Sequence, residues 1–231
     1  CRSDSETLGK TLKTAQPYVD EIIIGFDSSN DDLHAVDVAR RYGAQILFIE
    51  SPLEIGFDEA RNRTIERATS SWILWMDDDE FTVFSDRVFK YFRNNIVDGY
   101  AVAQHHFSCQ PVGLLKTDNP CRIFRNDRGY KFHGVVHEHP GSDENTSVEP
   151  VHLVNPNDYA HFHSGYDCEA TRRKRFLRNW PLMLRDHEKY PDRNLGKMLM
   201  LRDLVHMNRY EFERVRQTTP QMIERAQEGL D

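Results

Sequence analysis

Nine consecutive residues, Trp72-Ile73-Leu74-Trp75-Met76-Asp77-Asp78-Asp79-Glu80, pass from five apolar side chains to four carboxylates without a spacer. An unbroken apolar run of this length reads as a β-strand buried on both faces of a sheet. In open α/β sheets ligands bind beyond the carboxyl ends of the strands, so these acids stand where a site is expected. Neighbouring carboxylates repel one another, and a hard divalent cation that also meets a diphosphate would hold several of them ionised. The competing reading is a solvated acidic turn.

The preceding residues supply the rest of a wound sheet. Glu6 to Gln16 reads as a helix with Leu8, Leu12 and Ala15 on one face, stopped by Pro17. Asp20-Glu21 leads into Ile22-Ile23-Ile24-Gly25-Phe26, a second buried strand that ends on Asp27 and a polar turn, Ser28-Ser29-Asn30-Asp31-Asp32, rich in capping residues. A helix carrying Val36, Ala39 and Tyr42 ends at Gly43, and Ile46-Leu47-Phe48-Ile49 is a third strand. Strands and helices alternating through short links predict a parallel sheet flanked by helices. After Gly56-Phe57-Asp58, a helix over 59–68 turns Ala60, Ile65 and Ala68 inward and holds Arg61-Asn62 in its first turn. A basic residue there points to a nearby anion, either a ligand or a carboxylate such as Glu54 or Asp58. Residues 81–95 read as a further helix bearing Val88, Phe89 and Phe92.

The second half, from Tyr100-Ala101-Val102-Ala103, differs in character: eight of the 11 histidines lie between His105 and His163. Cys121-Arg122-Ile123-Phe124-Arg125 alternates apolar and basic residues as a strand does, with Asn126-Asp127-Arg128-Gly129 as its turn. Phe132-His133-Gly134-Val135-Val136-His137-Glu138-His139-Pro140 follows, then an exposed polar loop over 142–149, then His161-Phe162-His163-Ser164-Gly165-Tyr166. From Cys168 the pattern is helical, with Phe176, Trp180, Met183, Leu184 and His187 on one stripe and Pro181 expected to kink the helix or start a new one. Leu195, Met198, Leu199 and Val205 make a second stripe; Phe212, Val215, Met222, Ile223 and Ala226 make a third, broken by Pro220. These stripes read as core packing. Arg172-Arg173-Lys174-Arg175 reads as a solvated helix face, with an anionic substrate as the alternative.

The net charge of −7 argues against a general nucleic-acid coat, although residues 165–231 are mildly basic, with 14 Lys and Arg against 11 Asp and Glu. Cys1, Cys109, Cys121 and Cys168 show no CxxC spacing, so neither a zinc knuckle nor a redox pair is indicated, and reduced thiols in a cytoplasmic protein are expected. No stretch approaches the length of a membrane span, and the first residues are polar.

Six segments together resemble a family 2 glycosyltransferase of the GT-A fold: Asp20 to Ile24 with Asp27-Ser28-Ser29; Ala60-Arg61-Asn62; Trp72 to Glu80; Arg122-Ile123-Phe124-Arg125; Gly134-Val135-Val136-His137-Glu138; and His163-Ser164-Gly165-Tyr166. They run in the family's order, which is more specific than a lone D-x-D. The resemblance implies a Rossmann-like α/β domain over 1–166, with a mostly parallel sheet flanked by helices, and a helical C-terminal extension over 167–231. It also implies an opening strand ending in an Asn-Glu pair; this chain starts inside that region, with Cys1-Arg2-Ser3-Asp4-Ser5-Glu6. The C-terminal helices resemble the helical or tetratricopeptide-like extensions with which some members present an acceptor, although no repeat period is evident.

Residue by residue, the resemblance implies that Asp27 contacts the nucleotide base, that Arg61 lies near the nucleotide, and that Asp77, Asp78 and Asp79 belong to the D-x-D region. Asp77 would face ribose and metal, Asp79 would ligate Mn²⁺ or Mg²⁺ directly, His163 would add a metal contact, and Glu138 would stand where inverting members place the general base. The expected activity is transfer of a sugar from a nucleoside diphosphate, UDP for preference, to a saccharide, lipid-linked glycan, peptide or modified nucleobase. Glu138 has a competing reading as a surface glutamate paired with Arg122 or Arg125. His137, His139 and His161 leave open a zinc-type phosphoester hydrolase with Asp77 and Asp79 as further ligands. A catalytically silent nucleotide-sugar-binding module is the third possibility.

Overall fold

Leu8, Leu12, Ile24, Phe26, Ala35, Val36 and Ala39 form one buried cluster, and this cluster builds the first layer of the molecule. The computed structural model describes residues 5–93, 96–109, 112–163 and 169–208. Helix α1 (Ser5–Ala15) packs on α2 (Leu33–Arg41), and both cover β1 (Ile23–Asp27), which pairs in parallel with β2 (Gln45–Ile49). Asp32 caps α2 by accepting the His34 amide at 3.1 Å, the role its type and place predict. A single turn, α3 (Pro52–Ile55), leads into α4 (Phe57–Ile65). Because α4 starts at Phe57, Arg61 sits in its second turn rather than its first.

β3 (Trp72–Leu74) and β4 (Glu80–Phe84) flank the acids. The helix expected over 81–95 is instead β4 followed by a 3₁₀ stretch from Asp86 to Arg93. Phe81-Thr82-Val83-Phe84 alternates in exposure because β4 lies on β12 with one face inward. The second half holds β5 (Gly99–Ala101), β6 (Gln104–Cys109), β7 (Val112–Asp118), β8 (Cys121–Arg125), β9 (Lys131–His133), β10 (His139–Gly141), β11 (Val151–Leu153) and β12 (Tyr159–His163). They form two four-stranded sheets, ordered β11-β5-β8-β3 and β4-β12-β6-β7, and the hairpin β9-β10. Parallel pairing holds for β1-β2, β5-β11 and β6-β12; β6-β7 and β9-β10 are antiparallel through short connections, and β3-β8, β4-β12 and β5-β8 are antiparallel across longer ones. Among the described residues β3 pairs only with β8, at the edge of its sheet, and Trp72 to Met76 is half-buried rather than enclosed.

Helix α5 (Glu169–Lys189) runs through Pro181 without ending, and α6 (Asn194–Asn208) returns beside it. Trp180, Leu182, Met183 and Met200 share one cluster with Val135 and Val136 of the β9–β10 loop. Met200 and Asp203 of α6 are buried and Leu201 and Leu204 pack against the same cluster, whereas Met198 and Val205 of the expected stripe are exposed. The stripe from Phe212 to Ala226 lies outside the described residues, as do Ser164, Gly165 and Tyr166. Among the described residues, no helix is long and apolar enough to cross a membrane.

Trp180→Ala removes the largest side chain of the cluster joining α5 to the β9–β10 loop. It should lower the unfolding free energy by about 3–5 kcal/mol, measured as a shift of the urea midpoint.

Candidate functional site

The four acids at the end of β3 separate into different environments. Glu80 is 1% exposed. Its Oε1 accepts Arg122 Nη2–H at 2.6 Å and Gln104 Nε2–H at 2.7 Å, its Oε2 accepts the Asp77 amide at 2.7 Å, and His161 Nε2 lies 2.9 Å from Oε2. Tyr159 Oη lies 2.9 Å from the other ring nitrogen of His161. Burial pushes the His161 pKa down, and its Nε2 lies beside Glu80 Oε2 without the alignment of a hydrogen bond. The acid farthest along the run is therefore the internal anchor.

Asp77 faces a cleft of about 600 Å³ that Arg61, Asp79, Glu138 and His163 also line. Arg61 spans the cleft: Nη2–H donates to Asp77 Oδ1 at 2.5 Å and Nε–H donates to Glu138 Oε1 at 2.5 Å. Arg122 Nη1 stands 3.9 Å from Asp77 Oδ2. Trp75 is the platform for both cations, with the Arg61 and Arg122 guanidinium carbons 4.4 and 3.7 Å from its ring centre. Burial opposes ionisation of Asp77, yet Arg61 and Arg122 beside it hold its carboxyl well below the usual carboxylate range. The partners of Arg61 are thus Asp77 and Glu138, not Glu54 or Asp58, and Glu138 pairs with Arg61, not with Arg122 or Arg125.

On the neighbouring strands, Asp79 Oδ2 lies 3.4 Å from His163 Nε2. His163 Nδ1 is 3.0 Å from His106 Nδ1, and His106 Nε2 is 3.1 Å from Asp118 Oδ2. Burial and the adjacent His163 push the His106 pKa down to about 4. The rings of His106 and His163 share one Nδ1···Nδ1 hydrogen bond, which leaves His163 Nε2 facing the Asp79 carboxylate. An imidazole nitrogen beside a carboxylate is a donor set that suits a divalent cation. Among the described residues, no three His, Cys, Asp or Glu side chains are gathered closely enough to form a metal cage by themselves.

Asp78 lines the cleft, and its carbonyl accepts Thr11 Oγ1–H at 3.0 Å. Asp27 stands apart from the cleft, fully buried, accepting Ser29 N–H at 2.9 Å, Ser29 Oγ–H at 2.7 Å and Ser51 Oγ–H at 3.1 Å. His137 lines the cleft, but among the described residues His137, His139 and His161 do not gather with Asp77 and Asp79 into a metal cage. His161 sits on Glu80, and His139 lies 3.5 Å from Arg193 Nη2. Sequence reasoning left Glu80, Arg122, Trp75 and His106 without roles. The visible signal was Arg122, a cation inside an apolar strand, which is 4% exposed rather than turned outward. On α5, Arg175, Arg178 and Asn179 also line the cleft, whereas the side chains of Arg172 and Arg173 lie outside the described residues.

The sequence profile of Glycosyl transferase family 2 matches residues 2–136. The SPbeta prophage-derived glycosyltransferase SunS of Bacillus subtilis and the glycosyltransferase SunS of Bacillus phage SPbeta are each 29% identical over 173 residues, 71% of this chain and 38% of theirs. A TPR repeat-containing protein of Synechococcus elongatus is 28% identical over 138 residues, 59% of this chain and 33% of its own. The chain spans less than two fifths of the length of these curated relatives.

Glu80→Gln leaves the Arg122 guanidinium buried beside a neutral amide. Loss of one partner of a buried pair costs about 3–5 kcal/mol, and calorimetry should show a correspondingly lower melting temperature. Burial pushes His137 and His139 each down to about 4, below the unfolded value of about 6.5. The unfolded chain therefore binds more protons between these limits, and stability should be complete above about pH 6.5 and fall as pH drops toward 4. His137 has φ +53, a conformation asparagine tolerates, so His137→Asn should flatten that decline in urea midpoints measured against pH.

Proposed function

The chain belongs to glycosyl transferase family 2, with its GT-A fold, and on that premise we propose that it transfers a sugar, with inversion, from a UDP-linked donor to a nucleophile of its acceptor. The observation that carries this reading is the Arg61 bridge. One guanidinium joins the donor-side acid at the end of β3, Asp77, to the acid of the β9–β10 loop, Glu138. The names of the two SunS relatives support a transferase.

In this reading Asp77, Asp78 and Arg61 bind the donor, and Asp27 stiffens the Ser28–Ser29 turn against which the base would lie. A carboxylate engaged by a guanidinium is a poor base. An incoming diphosphate competes for Arg61, and as the guanidinium turns toward phosphate oxygens, Glu138 Oε1 becomes able to accept the proton of an acceptor group. Arg61, with Arg175 and Arg178 on the same cleft wall, then faces the charge that grows on the departing diphosphate. The pairing of Asp79 with His163 fits Mn²⁺ or Mg²⁺, with Asp77 as a further oxygen ligand. Bound there, the cation would supply additional positive charge to the leaving group. The acceptor is a saccharide, lipid-linked glycan, peptide or modified base, and the α5 side of the cleft is where it would enter. The hydrolase alternative is not favoured, since its histidine ligands are dispersed.

Thermal melts with UDP and Mn²⁺ test the donor half. A ligand at a hundred times its Kd adds about 2.7 kcal/mol of apparent stability, and Asp79→Asn should lose the Mn²⁺-dependent part of the shift. An equal UDP shift with and without Mn²⁺, in both proteins, would refute the metal assignment. Glu138→Gln should cut turnover of a nucleotide sugar about 10²–10⁴-fold with UDP affinity retained; wild-type turnover in that variant would refute the base.

A further inference from the structure

The loop that carries Glu138 turns sharply, with Gly134 at φ +113 and His137 at φ +53. A non-glycine residue held left-handed costs on the order of 1 kcal/mol or more and persists only where surrounding contacts over-determine it. Those contacts come from the corner between α5 and α6. Arg193, 1% exposed, donates Nη1–H to Val136 O at 3.1 Å and Nη2–H to His137 O at 2.5 Å, and its Nη1 pairs with Asp186 Oδ2 at 2.9 Å. Asp186 Oδ1 accepts the Val135 amide at 2.7 Å. One buried ion pair thus holds backbone groups of three successive residues, Val135, Val136 and His137, immediately before Glu138. A Cβ on Gly134 would lie 2.4 Å from the Arg193 guanidinium, so the bare backbone is what admits that group.

The same corner grips the helix that carries Arg61. Asp58, buried at the start of α4, accepts Lys189 Nζ–H at 2.8 Å and Tyr190 Oη–H at 2.7 Å. Arg185 donates to the carbonyls of Leu53 and Glu54, at 2.8 and 2.5 Å, just ahead of α4. Both ends of the Arg61–Glu138 bridge are therefore held by the last turns of α5 and the residues just after it.

We propose that Arg193, with Asp186, is a positioning residue for Glu138: the α5–α6 corner is a built-in part of the reaction centre that sets where the acceptor-side carboxylate stands relative to Arg61. The proposal rests on the reading of Glu138 as the base. Displacing a reacting group by about 1 Å can cost on the order of 10²-fold in rate, so the clamp acts on turnover more than on donor binding.

A double-mutant cycle in the full chain tests it, with UDP release from UDP-glucose in Mn²⁺ as the assay and UDP affinity by calorimetry. Arg193→Lys should lower turnover at least tenfold and leave UDP affinity within twofold; in a Glu138→Gln background the extra loss should shrink below twofold. Equal losses in both backgrounds, or a parallel fall in UDP affinity, would overturn the proposal. Asp186→Asn, which keeps the side-chain shape, repeats the cycle if Arg193→Lys does not fold. Hydrogen exchange supplies a second readout. Amides of 135–138 should exchange at least tenfold faster in the variant, with those of 121–125 unchanged, and uniform acceleration would count against the clamp. Wild-type inactivity toward UDP-glucose and other nucleotide sugars would count against the transferase reading alone, and the exchange comparison would still decide the clamp.

Discussion

A carboxylate removed from water is tolerated only when its lone pairs are taken, and Glu80 meets that condition with Arg122, Gln104 and the amide of Asp77. Its position makes the arrangement structural as well as electrostatic. Glu80 opens β4, in one four-stranded sheet, while Arg122 belongs to β8, in the other, so the two sheets are fastened at this carboxylate. The hydrogen bond from the Asp77 N–H to Glu80 then fixes how the chain leaves β3, and with it the direction in which the remaining acids face.

Repulsion within the acidic run is relieved mainly by the protein's own cations. Arg61 and Arg122 stack on Trp75 and flank Asp77, and Arg122 also pairs with Glu80 inside. A divalent ion is not required to hold Asp77 ionised, which shifts the expected role of such an ion from stabilising the fold to serving the ligand. The same arginines make the cleft responsive. In the proposed reading, a polyanion entering it would offer Arg61 a partner that competes with two carboxylates.

The C-terminal helices enter the account through packing. Trp180, Leu182, Met183 and Met200 close over Val135 and Val136, and the charged corner beyond them reaches the backbone of the same loop. Their apolar stripes gave the helices away in the sequence, but not their destination, since a stripe of leucine, methionine and tryptophan reports only that some surface must be covered.

Local chemistry accounts for what was legible in the chain. The helix of 5–15, the capped helix after Asp32, the strands at Ile23 and Gln45 and the strand-to-acid junction at Asp77 all follow from periodicity, caps and turn residues within a few positions of each other. Residues 81–95 misled because Phe81-Thr82-Val83-Phe84 suits a helix or a strand, and the choice was made by β12, which arrives about 75 residues later. The order of the family's motifs likewise named Asp77, Asp79, His163 and Glu138, because those side chains are recognisable one by one. Their relation to one another was not written there. That Arg61 bridges Asp77 to Glu138, that Glu80 turns inward while Asp77 turns outward, and that Arg193 holds the β9–β10 loop are consequences of contacts between residues 16 to 77 positions apart. Buried charges accept only partners of the right geometry, and geometry at that range exists only once the layers have packed.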